Sequence, residues 1–144
     1  MKPQSIAYGP QAAFLANSAN KSQLLKLLAY IFTDSGHQCP QAPADGDCLV
    51  VQSAMESCAD EVSVIVADDT DILVLAMHHF REEYMELYIY SETSARSKNS
   101  FKYISIRELW RQVGPVVCSH ILFIHAWTGC DTTSAIHGYG KTFA

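Results

Sequence analysis

Residues 62–75 read VSVIVADDTDILVL: a β-branched apolar run, three aspartates within four positions, then a second apolar run. VSVIVA at 62–67 is short and β-branched, which predicts a buried strand. DILVLAMHHF at 71–80 has the length and the Leu, Ala and Met content of a helix. Between them, Asp68, Asp69 and Asp71 repel one another and resist burial unless a cation or hydrogen-bond donors compensate them. A turn at the carboxyl end of a strand faces the crevice in which open α/β sheets gather ligands. Two readings follow: capping and solvated turn carboxylates, or one edge of a metal site.

The chain on either side supports a layered fold. SANKSQLLKLLAYIF carries Leu24, Leu25, Leu28 and Ile31 at helical spacing, predicting a helix over 20–32 capped by Ser18 or Asn20, after an irregular segment over 1–19. TDSGHQCPQAPADGD, with Gly36, Pro40 and Pro43, predicts a loop. From Asp45 a helix follows with carboxylates in its first turn, where the helix dipole favours them. ELYIYS at 86–91 and FKYISI at 101–106 predict strands around a polar loop, SETSARSKNS at 91–100. RELWRQV and VVCSHILFIHAW predict two helices separated by Gly114-Pro115. Alternating strands and helices give an α/β fold class with a partly parallel central sheet flanked by helices.

With 144 residues and 49% hydrophobic content, the chain suits one domain or a large piece of one. A domain of this size buries roughly two-thirds of the surface exposed by its unfolded chain. The formal net charge of −5 argues against broad attraction to nucleic acid or anionic lipid, yet leaves room for a pocket whose acidity a bound cation offsets. Cys39, Cys48, Cys58, Cys118 and Cys130 form no CxxC pair and read as reduced thiols of an intracellular protein. No apolar run approaches the ~20 residues of a membrane span, and the start, MKPQSIAYGPQ, lacks a secretory apolar core.

Three acidic groups recur at element boundaries: Asp45 and Asp47 at a helix start, Asp69 and Asp71 after a strand, and Asp131 in TGCDTTS after an apolar helix. Mg²⁺ and Mn²⁺ take oxygen ligands from several segments and retain waters. Two such ions about 4 Å apart activate a water and stabilise the leaving oxygen of a phosphodiester. In this order the groups resemble the catalytic half of PIN-like nucleases of the flap-endonuclease type. Closer still are transposon-associated animal proteins carrying a TGCDTxSA motif. The matching stretches are FLANSANKSQLLKLL (14–28), ADGDCLV (44–50), DDTDILVL (68–75), KYISI (102–106) and HAWTGCDTTSAIHGYGK (125–141).

The resemblance implies metal-dependent phosphodiester hydrolysis, with Asp45, Asp47, Asp69, Asp71 and Asp131 as ligands of Mg²⁺ or Mn²⁺ in a two-ion site. Asp69, Asp71 and Asp131 would be the catalytic set. Gly138, Gly140 and Lys141, in a glycine-rich hairpin starting within 129–144, would hold the nucleic-acid backbone, DNA rather than RNA, in an intracellular and plausibly nuclear setting. Asp45 stands at a family Glu position and Gly46 at an Ala position. The family also draws aspartates from an N-terminal strand, which nothing before Phe14 supplies. The chain is therefore expected to be the C-terminal part of such a domain with a truncated hairpin. Its site would be completed by a missing N-terminal segment or a partner chain, or lost in a noncatalytic interaction module.

Other motifs give way to simpler readings. AIHGYGKT at 135–142 has Ala135 where a phosphate-cradling loop needs its first glycine, and a helix rather than a strand precedes it. His37, Cys39 and Cys48, and Cys118, His120, His125 and Cys130, lack zinc-finger spacing, so buried cysteines and partly exposed histidines are expected. Trp110 and Trp127 read as core, and His78 and His79 as residues favoured at a helix C-terminus.

Overall fold

The computed structural model describes residues 10–43, 45–91 and 103–129. Met1–Gln41 and Ala42–Ala144 form two compact units. The first holds α1 (Gln11–Ala16) and α2 (Ser18–Asp34). The cap of α2 is Asn17, one residue earlier than expected, whose side chain accepts from the N–H groups of Ala19 at 3.0 Å and Asn20 at 3.2 Å. Asn is among the best N-caps because its oxygen satisfies amides that no helical carbonyl reaches. The short helix α1 occupies part of the segment expected to be irregular.

The second unit runs α3 (Asp47–Cys58), β1 (Ser63–Val66), α4 (Thr70–His79), β2 (Leu87–Tyr90), β3 (Tyr103–Ser105), α5 (Ile106–Val113) and α6 (Pro115–Thr128). The mixed sheet has the order β1-β2-β3. β1 pairs parallel with β2, joined by the crossover through α4, and β2 pairs antiparallel with β3. The partly parallel sheet flanked by helices is thus as the sequence pattern implies. Ile106 lies in the helix rather than the strand, because Ser105 caps α5 by accepting from the Glu108 N–H at 3.2 Å.

Strand alternation sorts the sheet into two faces. Ile65, Leu87 and Ile89 point to one side and join Val51, Met55 and Cys58 of α3, Ile72 and Ala76 of α4, Phe80 and Ile106 in a continuous core. Val51, Met55 and Cys58 recur at helical spacing, so one stripe of α3 is buried. The opposite face carries Val64, Val66 and Tyr103, which are 51%, 66% and 54% exposed. Trp110 packs on the core edge-to-face with Phe80, as expected. Trp127 departs from its expected core position: it is 44% exposed, beside Phe123.

Two polar ties fix the elements around the core. Arg107 pairs with Glu86, donates to the carbonyls of Glu82 at 3.1 Å and of Tyr84, and lies over the Phe80 ring. The Cys58 thiol donates to the Met85 carbonyl at 2.9 Å, and the Met85 N–H returns to the Cys58 carbonyl at 2.7 Å. Gly114, at φ +91°, allows the sharp break between α5 and α6, and Pro115 then starts α6 where no amide hydrogen is needed. No described helix is long and apolar enough to cross a membrane.

Candidate functional site

The acidic turn sits at the joint carboxyl end of the parallel strands. The ladder runs one step past β1, with the Ala67 N–H donating to the Tyr90 carbonyl at 3.1 Å. Asp68 then accepts from the buried Ser91 hydroxyl at 2.6 Å, so the first residues beyond β1 and β2 are tied together. Asp68 is exposed but held by this bond.

Asp69 is extended and caps α4, its Oδ1 accepting from the Asp71 N–H at 2.9 Å. That is the ordinary capping role of a turn carboxylate, and it engages one oxygen of two. Asp71 begins the first turn of α4, where the helix dipole stabilises negative charge. Its Oδ1 lies 2.8 Å from His125 Nε2 on α6, with side-chain exposures of 29% for Asp71 and 15% for His125. A carboxylate only accepts, so the contact requires the proton on Nε2. The pair joins the start of α4 to the end of α6 and leaves the second Asp71 oxygen with no bond of its own among the described residues.

The other expected pair is looser. Asp45 precedes the helix and its Oδ1 is 3.4 Å from the Asp47 N–H; the N-cap proper is Gly46, which has no side chain to offer. Asp47 is the first residue of α3, and α3 packs against α4. Among the described residues no three His, Cys, Asp or Glu side chains gather closely enough to hold a metal ion. The structure therefore organises Asp69 with Asp71 and leaves Asp45 with Asp47 as a separate pair at another helix start. Asp131, Gly138, Gly140 and Lys141 lie outside the described residues.

His125 is the residue that sequence reasoning passed over. Its spacing marks it, like the other histidines, only as a partly exposed side chain, yet it is the partner of a candidate ligand across 54 positions of sequence. The available signal was its place as the first residue of the HAWTGCDTTSAIHGYGK segment. Of the cysteines expected to be buried, Cys118 is, whereas Cys39 is only partly buried, Cys48 is exposed and Cys130 lies outside the described residues; burial pushes the Cys118 thiol up, and that of the buried Cys58 with it. Cys118 adjoins His78, whose Nδ1 is 3.1 Å from the Cys118 carbonyl. Compared with protein-family models, curated proteins and solved structures, the chain gives no match.

Proposed function

We propose that the acidic turn after β1 is the centre of a divalent-cation site in a PIN-like, flap-endonuclease-type domain of transposon-associated origin, whose reaction is phosphodiester hydrolysis. The observation that carries this reading is the fixed pair at the start of α4. Asp69 and Asp71 each use one oxygen in a local bond, to the Asp71 amide and to His125, and each has a second oxygen of the kind hard cations take. The ordered sequence likeness supplies the chemistry. Mg²⁺ or Mn²⁺ held there would activate water and neutralise charge on the leaving oxygen. Asp45, Asp47 and Asp131 would complete the ligands, and Lys141 with the amides of Gly138 and Gly140 would grip the backbone. His125 would orient Asp71, since a hydrogen-bonded ligand pays less ordering entropy on binding.

The test is cleavage of end-labelled single-stranded and flap DNA, and of matching RNA, with Mn²⁺ or Mg²⁺. Metal-dependent cleavage lost in Asp69→Asn with Asp71→Asn is the expected result, with DNA the better substrate; cleavage that survives the double substitution refutes the site. A noncatalytic interaction module is the second reading, favoured by the exposed Phe123 and Trp127 rings, 5.5 Å apart on α6. Paired exposed aromatics are a stacking platform for unpaired bases. That reading predicts no cleavage, and single-strand retention lost in Trp127→Ala.

A further inference from the structure

A second concave site lies away from the acidic turn, between α3 and the C-terminal half of α4. It is a cleft of about 320 Å³, at the small end of ligand pockets and with room for roughly ten non-hydrogen atoms. Its floor is apolar: Val51 and Met55, buried in α3, and Leu75 of α4. Its rim carries Gln52, His79 and Arg81. The cleft exists because α4 stops at His79 and the chain turns away, the Tyr84 N–H donating to the Arg81 carbonyl at 3.2 Å, so that no further turn of α4 covers Met55.

Charge on this rim is unbalanced. Arg107 is paired with Glu86 and Arg111 with Glu82, whereas the Arg81 guanidinium has no acidic or carbonyl partner among the described residues. The Gln52 amide is turned to Glu56, donating at 2.9 Å, so its NH₂ is already engaged. Shielding from solvent, then the positive charges of His78 and Arg81, hold His79 below the usual imidazole range, which leaves it a neutral donor or acceptor. The carbonyls at the end of α4 oppose an anion here, but with about half a charge at most against the full charge of Arg81.

We propose that this cleft binds a small organic monoanion, a carboxylate joined to a short apolar body. The apolar part lies on Val51, Met55 and Leu75, and the carboxylate meets Arg81, whose planar fork matches it in two hydrogen bonds. An inorganic phosphate is a poorer fit, because a compact, multiply charged ion gains nothing from the apolar floor and faces a single guanidinium. The inference does not depend on the nuclease reading.

The experiment is an amide-resolved NMR titration of the full chain with phenylacetate and with its neutral isostere phenylacetamide, in wild type, Arg81→Gln and Gln52→Trp. Saturable shifts at Gln52, Leu75, Arg81 and Tyr84 are expected, with the acid binding about tenfold more tightly than the amide, the value of one charge-assisted contact. Arg81→Gln, at an exposed position, should bring the two ligands to equal affinity. Gln52→Trp, which fills the cleft from the surface of α3, should abolish both. The proposal is overturned if neither ligand gives saturable shifts, if acid and amide bind equally to wild type, or if Arg81→Gln keeps the preference. The same spectra report whether each variant is folded.

Discussion

The chain contains the pattern Asp-x-Asp twice at a helix start, as Asp45-Gly46-Asp47 and as Asp69-Thr70-Asp71, and folds the two differently. In each the first aspartate faces the amide of the second, at 3.4 Å in one and 2.9 Å in the other. The difference lies in the backbone. Asp69 is extended, the conformation of an N-cap, so its carboxylate looks back over the first turn of α4. Asp45 stands one residue too early, and the capping position falls to Gly46, which is already helical. Asp71 also meets the His125 imidazole from α6. The same two residue types at the same spacing thus give one close cap and one looser one.

Substitutions at the two helix starts and at His125 test the contrast between them. The largest stability effect is expected at His125. His125→Ala leaves the Asp71 carboxylate shielded without its donor, at a cost of about 1–3 kcal/mol, whereas His120→Ala on the exposed face of the same helix should stay within about 0.5 kcal/mol. Urea unfolding of both variants measures the difference, and equal midpoints would mean that the imidazole does not hold Asp71. Next comes the cap itself. Asp69→Ala should lose about 1 kcal/mol as α4 gives up its N-cap, with Asp45→Ala losing under about 0.5 kcal/mol; the reverse order would contradict the reading of the two helix starts. The smallest effect is a gain. Gly46→Ala restricts the unfolded chain at a position whose backbone is already helical and where an added Cβ meets nothing within 4 Å. It should stabilise by a few tenths of a kcal/mol, or about 0.5 kcal/mol at most.

How far the sequence foretold this arrangement depends on the range of the interaction. β1 and α4 followed from residues 62–75 alone, because a β-branched run, a turn and a longer apolar run are local signals, although β1, expected to be buried, is covered on one face only. A partly parallel sheet followed from the alternation of strands and helices, and β1 with β2, on either side of α4, is its parallel pair. The capping of α2 was displaced by one residue to Asn17, since Asn17, Ser18 and Asn20 are all competent caps and the choice rests on backbone conformation. His125 could not be found by periodicity. Its partner is 54 residues away, and the bond exists only once α4 packs on α6. Trp127 failed as a core residue for a related reason: α6 is apolar on most sides, so hydropathy could not say which side the core takes. The acidic residues show both outcomes at once, their positions at element boundaries being legible and their unequal organisation not.

If Asp69 and Asp71 form the organised half of a cation site, millimolar Mn²⁺ must raise the thermal unfolding midpoint. A cation that binds only the folded chain at a hundredfold excess over Kd stabilises it by about 2.7 kcal/mol. Wild type should show a rise in midpoint that Asp69→Asn with Asp71→Asn abolishes and that Asp45→Asn with Asp47→Asn only reduces. An unchanged midpoint in wild type, or a rise that survives loss of Asp69 and Asp71, would contradict it and leave the turn as the capping structure of α4 alone.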